Sequence, residues 1–562
     1  MVQRVFTVMH KEIRGLHQAA YILALFTFGS QMLALIRDRL LAHQFGASMQ
    51  LDLYYTAFRI PDILYVLFAS TLSVYVLIPF ISEKMEKHSV QSAQVLFSQI
   101  FSLFIVLYIG IAVGAFLFTP YITHILFPGF MGSQDTLVLL IRILLLQPLL
   151  LGISSLYGVI TQLHHRFILY AAGPLLYNIG IIFGLLVLYP LMGITGLVFG
   201  VVLGALGHLC VQLPYILRTP LMPRFVFSFD FREIIRICRT SFVRALTLSL
   251  HQLVLLVLIG FASVMSVGSI SIFQLGYNLQ SVPLAIIGVS YSVAAFPLLA
   301  QLYAEKRMDT FGGYIVNTIK HILFWSLPTI ALFIVIRAQF VRVVLGSGKF
   351  DWTDTRLTAA VLAIFILSLV GQAIHLLMVR ALYAVGNTRI PFFVTLFSTS
   401  LAVASTFLFW MLFATHIPFT NSIAWIMRLE GVTGIEVLAL PMGYTLSLIV
   451  HSFVILIVGK KYVHLSFRAL IKPFLQSTIA GLGAGWSAYV VLHYTIMLFT
   501  SDTFWTVLLQ GFCAGVVGLC VYIGMQYAFK NEELHEVMRM FKKRLVRKET
   551  MVAPQDEDFL SV

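Results

Sequence analysis

Charged and hydrogen-bonding side chains stand inside stretches that are otherwise apolar, and most of the charge falls in the first two of them. Arg37, Asp38 and Arg39 follow one another, and further on Arg59 and Asp62 are spaced i, i+3, which puts them on one face of a helix. Tyr54, Phe58 and Tyr65 continue an aromatic and polar stripe suited to lining a cavity, and Gln31 carries polar character inward from Arg37. The chemistry open to these residues is binding. A guanidinium is a planar fork of donors that stays charged in a low dielectric and takes phosphate or carboxylate oxygens two at a time. A charge at mid-bilayer costs at least about 2.5–3.5 kcal/mol, so such residues usually face a protein interior or water. Two readings stand side by side for Arg37 to Arg39 and for Asp52: they line a cavity, or they cap helix ends with the basic side chains snorkelling to headgroups. Later segments carry Arg244, His251 and Gln252, then Gln274, Tyr277, Asn278 and Gln280. For the amides and His251, interhelical hydrogen bonding competes with ligand contact. Lys320, Arg142 and Arg380 stand near segment ends and are read as interfacial.

The elements that must position these residues are membrane helices. The chain has 562 residues, 59% hydrophobic and only 11% charged, with mean hydropathy +0.94. Soluble domains run at about 45–50% apolar and about 25% charged, so an ordinary soluble globule is excluded. A helix crossing a hydrocarbon core of roughly 30 Å needs about 20 mostly apolar residues. Such runs are expected at 19–41, 54–81, 94–119, 136–161, 167–189, 194–217, 240–263, 270–300, 314–336, 357–383, 390–414, 437–458, 473–498 and 505–529. The first run is full length and enters Arg37–Arg39 without a small-residue cleavage site, so it is expected to be an uncleaved helix. Lys and Arg concentrate on one side of this alternation, at Lys84 and Lys87, at Arg218 to Arg239, at Lys460 to Lys472 and in the tail from Lys530 to Lys548. The positive-inside rule then places both termini in the cytoplasm. It also explains much of the +14 net charge as topology and attraction to anionic lipid, so no nucleic-acid partner is expected.

Other chemistries find no support. Cys210, Cys238, Cys513 and Cys520 show no CxxC spacing and mostly sit in apolar runs, so neither disulfide nor metal is expected. Gly346-Ser347-Gly348-Lys349 lacks the preceding Gly of a phosphate loop, and Phe350 stands where the magnesium-binding hydroxyl would be. His164-His165 has no companion at ligand spacing, and neither H-E-x-x-H nor a nucleophile elbow occurs. Asp351, Asp354, Glu430 and Glu436 read as solvated charges rather than as a catalytic cluster. No cofactor is expected, and the chain is not expected to be an enzyme.

Pro297 repeats Pro79 near the end of a segment, and Pro391 repeats Pro174 at nearly the same offset. Six spans separate the copies, an even number, so the repeats share an orientation and an axis along the membrane normal. The expected fold is an all-α polytopic membrane protein of about 14 transmembrane helices. It has two six-helix lobes related by a pseudo-two-fold axis, plus two C-terminal helices. The expected organisation is a cytoplasmic N-terminal segment (1–18), an N-lobe (19–217), a basic linker (218–239), a C-lobe (240–458), an appended pair (473–529) and a basic tail (530–562).

Ile36-Arg37-Asp38-Arg39-Leu40-Leu41-Ala42-His43-Gln44-Phe45-Gly46-Ala47, followed by Asp52 and Ala57-Phe58-Arg59-Ile60-Pro61-Asp62, resembles the opening signature of the MurJ (MviN) family of lipid II flippases. Pro174 to Gly180, Pro283 to Leu299, Gly348-Lys349-Phe350 with Asp354-Thr355, and Ala381 to Pro391 agree with it in order, over roughly residues 25–475. The resemblance implies the fold of the multidrug/oligosaccharidyl-lipid/polysaccharide exporter superfamily. It also implies alternating-access movement of undecaprenyl-pyrophosphate-linked peptidoglycan precursor, with the last two helices forming a groove for the lipid tail. Arg37, Asp38 and Asp52 match positions the family uses, and Arg37 would contact the pyrophosphate. Gln31, Tyr65 and Asn278 stand where the family carries further cavity arginines, Ser281 where it has an acid, and Asn387 where Asp is usual. Arg59, Arg244 or Arg39 would have to compensate. The expected site is therefore Arg37, Asp38, Asp52, Arg59, Asp62, Gln31, Tyr65, Arg244 and Asn278. The expected partners are lipid II or a related polyprenyl-pyrophosphate lipid, anionic membrane lipids and a coupling ion, on a monomer. The alternatives are an exporter of another polyprenyl-linked saccharide or of small molecules, and a non-transporting scaffold. Export of cationic drugs would call for an acidic cavity, against the cationic first lobe.

Overall fold

A computed structural model of the chain describes residues 16–71, 74–463, 465–498 and 503–539. Most of the expected N-terminal segment, and the tail from 540 onward with Lys542 to Lys548, lie outside the described residues. The first half of the chain carries α1 (Leu16–Phe45), α2 (Met49–Ala57), α3 (Arg59–Thr71), α4 (Val74–Lys87), α5 (Val90–Leu126), α6 (Gln134–Leu144), α7 (Leu146–Leu163), α8 (Phe167–Phe183) and α9 (Ile194–Cys210). The second half carries α10 (Phe231–Ser263), α11 (Ser269–Leu284), α12 (Ser290–Ala304), α13 (Met308–Leu345), α14 (Trp352–Ile366), α15 (Leu369–Ala384), α16 (Arg389–Thr415), α17 (Ile417–Met427) and α18 (Ala439–Val463). The final pair is α19 (Arg468–Leu498) and α20 (Phe504–Ala528), and both pack on α13.

Among the described residues, ten helices are long and apolar enough to cross a membrane, and α14 with α15, bent by 46°, makes an eleventh. The chain is a multi-pass membrane protein. Among the described residues the three other expected spans are not in this set: the second is divided among α2, α3 and α4, of 9, 13 and 14 residues, and it and α1 hold the charged residues singled out above. Span 2 is also broken at Phe58, and Pro79 and Pro297 both lie inside helices, α4 and α12.

Helix starts follow local chemistry. Ser89 accepts from the Ser92 amide, Asp230 from those of Arg232 and Glu233, Asp351 from Asp354, and Thr503 from Thr506. α8 and α9 cross at glycines: a Cβ added to Gly180 would sit 2.2 Å from the Gly204 Cα, so only hydrogen fits between the two backbones. The basic linker is ordered. Residues 224 and 226 run along α5 by donating their amides to Ser98 and Ser102, and the first turns of α10 lie on α4 through a Lys84–Glu233 pair and Arg236 over Phe80.

Call the face where α1 begins and α20 ends proximal, and the opposite one distal. At the distal side one hydrophobic core runs through both halves, joining Leu41, Leu51 and Leu140 to Leu258, Phe273 and Leu345. Toward the proximal side the core divides. Leu77, Phe97, Leu156 and Ile237 pack in one cluster, and Leu299, Ile315, Leu377 and Ile455 in another. Halves that share a core at one end and keep separate cores at the other are hinged closed distally.

A polar bridge between the halves

Arg37, near the distal end of α1, turns inward. Its Nε and Nη2 donate to Asp38 Oδ1 at 3.0 and 2.8 Å, and Nη1 donates to Asn178 Oδ1 of α8 at 3.0 Å. Asn178 in turn donates to the Pro174 carbonyl at 3.0 Å and to Ser30 at 3.3 Å, which fixes its amide orientation. Asp38, 3% exposed, uses its second oxygen across the interface, accepting from Asn278 Nδ2 of α11 at 2.9 Å. Asn278 accepts from Gln274 Nε2 at 2.7 Å, and Gln274 accepts from Arg59 Nη2 of α3. Asp62, one turn on from Arg59 in α3, is the carboxylate whose charge acts on it. Both Asp38 oxygens are therefore engaged, while the buried Arg59 Nε has no partner. A donor aimed into the interior without an acceptor is costly, and an anion arriving between the halves would relieve it.

The distal rim is tied by two further carboxylates. Asp52 accepts from the Gly268 amide at 2.6 Å and from the Ser271 amide and hydroxyl at 2.8 and 2.5 Å, so a residue of the first half caps α11 of the second. Asp52 stands ahead of residues 54–81; burial pushes its carboxyl up to about 6, and the Ser271 and Gly268 hydrogen bonds pull the other way. Asp354 is not the solvated charge expected. Its Oδ2 accepts from the Ala47 amide at 3.0 Å, while the Lys349 amide donates to the His43 carbonyl at 3.0 Å.

Of the residues expected in the site, Arg37, Asp38, Arg59, Asp62 and Asn278 come together, and Asp52 lies above them at the rim. Three do not join. Gln31 is exposed on α1, Tyr65 faces Ser155 of α7 at 3.5 Å, and Arg244 lies over the Tyr383 ring of α15 at 5.7 Å. Arg39 is a structural cation: it donates to the Val343 and Val344 carbonyls at the end of α13 and lies over Phe504. Sequence reasoning left Asn178 and Gln274 out of the site. The signals for Asn178 were an amide one turn after Pro174 in an apolar run and its place in the Pro174 to Gly180 stretch that resembles the family's.

A bundle of membrane helices, joined at one face by charged and polar groups that cross between its halves, is an architecture suited to a membrane transporter. The comparisons with known proteins agree. The family model described as Lipid II flippase MurJ matches residues 41–509, so the chain belongs to the MurJ family of lipid II flippases. A probable lipid II flippase MurJ of Buchnera aphidicola subsp. Acyrthosiphon pisum is 28% identical over 382 residues, 67% of this chain and 74% of that one. One from Thermotoga maritima is 26% identical over 394 residues, 67% and 76% respectively. Among solved structures, a lipid II flippase MurJ in an inward closed conformation superposes with TM-score 0.70 at 20% identity, covering 91% of this chain and 98% of that one. A multidrug resistance MATE family transporter of the MOP superfamily, in an inward-facing conformation, superposes with TM-score 0.63 at 14% identity, covering 77% of this chain and 94% of that one. These superpositions speak for the fold.

Proposed function

We propose that the chain translocates lipid II, the undecaprenyl-pyrophosphate-linked peptidoglycan precursor, across the bacterial inner membrane by alternating access, without a covalent step. Residues 19–217 and 240–458 act as the two lobes, with 218–239 as their linker. The proximal face is cytoplasmic on the Lys and Arg distribution, so the described arrangement is the one closed to the outside. The observation that carries the reading is the bridge from Arg37 through Asp38 to Asn278, which holds the lobes together in the path between them.

The bridge suggests how the headgroup drives the cycle. Pyrophosphate oxygens entering from the proximal side compete with Asp38 for the Arg37 fork and offer Arg59 Nε the acceptor it lacks. Releasing Arg37 from Asp38 loosens the Asp38–Asn278 contact, and the distal rim can then part while the polyprenyl chain stays in lipid. The apolar groove of Leu475, Ile479 and Phe529, rimmed by Arg468 and Lys472, suits an anionic lipid beside α19. The protein works as a monomer on this reading.

A second substrate, another polyprenyl-linked saccharide, is favoured by one observation: of the family's cavity cations only Arg37 is present, and the neutral Gln31 and Tyr65 point away from the bridge. Depleting a host's own flippase and supplying this chain should restore lipid II at the outer leaflet. Mass spectrometry of lipid extracted with the purified protein should find lipid II. Failure to complement, together with a different polyprenyl lipid in the extract, would move the assignment to that lipid.

A further inference from the structure

The second half contains a group of histidines that the bridge does not use. His375 of α15 and His451 of α18 face each other with Nδ1 and Nε2 2.5 Å apart and rings 85° from parallel. His251 of α10 bonds the Tyr277 hydroxyl of α11 at 3.1 Å, and Tyr444 of α18 stands against both Tyr277 and His251. No group of three or more His, Cys, Asp or Glu among the described residues is placed to hold a metal ion. Two imidazoles in N–H···N contact have one proton between them and bare or protonated nitrogens on their outer edges. Such a pair has somewhere to put one more proton and spreads the charge over two rings.

We propose that His375 and His451, with His251 beside them, form a proton-binding site whose occupancy is coupled to the anion held at the bridge. The inference rests on the reading of the chain as a lipid II flippase and names its coupling ion as the proton. His451 is buried while His375 and His251 are half-buried, so the pair can exchange protons at its open edge while its inner member is shielded. The link to the bridge is short. Tyr277 adjoins Asn278 on α11, and the charge of Arg59, from the other lobe, acts on His251. The other ionisable groups facing the cluster are Tyr277, Tyr444 and, beside Arg59, Asp62. Arg244, Arg380, Lys320 and His321 are engaged elsewhere, with Tyr383, Ser292, Glu532 and Glu536 respectively. Asp62 offsets part of the Arg59 charge, and what remains repels a proton placed on His251. A pyrophosphate on Arg59 cancels that repulsion, so anion and proton bind cooperatively, and by linkage each tightens the other to the same degree.

The test is calorimetric binding of lipid II to the full chain in detergent, in buffers of differing ionisation enthalpy. The wild type should take up protons on binding, with affinity about five-fold or more higher at pH 6 than at pH 8. His375→Gln with His451→Gln, which keeps hydrogen bonding but cannot hold the proton, should abolish both effects. His375→Asn alone serves if the double variant does not fold. Binding without proton uptake, or uptake unchanged in the variants, overturns the proposal. If lipid II does not bind, the flippase reading fails, and the cluster is judged on histidine 15N resonances of the ligand-free chain. Resonances of His375 and His451 that fail to titrate together would overturn the site.

Discussion

At the scale of single residues, the bridge divides its members into those that hold charge and those that hold geometry. Arg37 bonds Asp38 and Asn178 at once, so Arg37→Ala removes the cation and strips a partner from both. Flipping should be abolished in a protein that still inserts, whereas Arg39→Ala, which loses bonds to the end of α13, should lower stability more than transport. Equal transport in the two variants, assayed as lipid II exposed outside, would remove the role assigned to Arg37. Asn278→Arg places a guanidinium within reach of Asp38 and the incoming anion, and should tighten lipid II binding by about 1–3 kcal/mol, the worth of one charged hydrogen bond. Gln31→Arg should do little, because that side chain is exposed. Asp52 adds a pH dependence whose sign is fixed. Its carboxyl is raised to about 6 when buried at the closed rim and returns toward 3.8 when the rim opens. Closure therefore favours the protonated form: the closed state gains as external pH falls through 6 toward 4 and loses that gain as pH rises. Thiol labelling of Ser269→Cys, scaled to the exposed Glu430→Cys, should slow from pH 7.5 to 5, and Asp52→Asn should flatten the trend. A trend that persists in Asp52→Asn would assign the titration to another group. Arg37, Asp38 and Arg59 were legible in the sequence because charge inside an apolar run is rare and costly. Asn178 and Gln274 were not, because an amide in a membrane helix is equally a packing bond. Nothing in one strand of sequence says which helix will face it.

At the scale of elements, the spans were legible because the lipid core imposes one length and one polarity on all of them. What resisted was their internal breaks. Phe58 interrupts span 2, and α14 and α15 meet at 46° without a proline in the break. Such bends are set by neighbours rather than by local propensity. The crossing of α8 with α9 is a case where neighbours and sequence agree. Gly180, Gly184, Gly200 and Gly204 lie where any Cβ would enter the opposite backbone. Gly204→Val should cost about 1–3 kcal/mol, as overpacking does, and lower the melting temperature in detergent. Gly207→Ala, whose new methyl would meet only Leu176 Cβ at 3.6 Å, should be neutral. Equal melting of the two would mean that the helices separate readily and the contact carries no stability.

At the scale of the whole molecule, the division of the core is what makes movement affordable. The distal contact is a mixture of shared apolar packing and a few carboxylate and carbonyl bonds, at Asp52, Asp354, His43 and Asp38. Opening the rim therefore exchanges these bonds for water and parts the apolar packing that the halves share there, while on the proposed cycle each proximal cluster stays intact inside its own half. If that is how the protein works, fixing the distal rim should stop transport without disturbing either lobe. His43→Cys with Lys349→Cys lie on opposite sides of the rim, where the two backbones share a 3.0 Å hydrogen bond. With the four native cysteines replaced, a short reducible thiol cross-linker across this pair should block flipping, leave lipid II binding from the proximal side in place, and release the block on reduction. Either single cysteine treated the same way should transport normally. Undiminished flipping by the cross-linked protein would show that the rim need not part, and the headgroup would then have to leave by a path along the outside of the bundle.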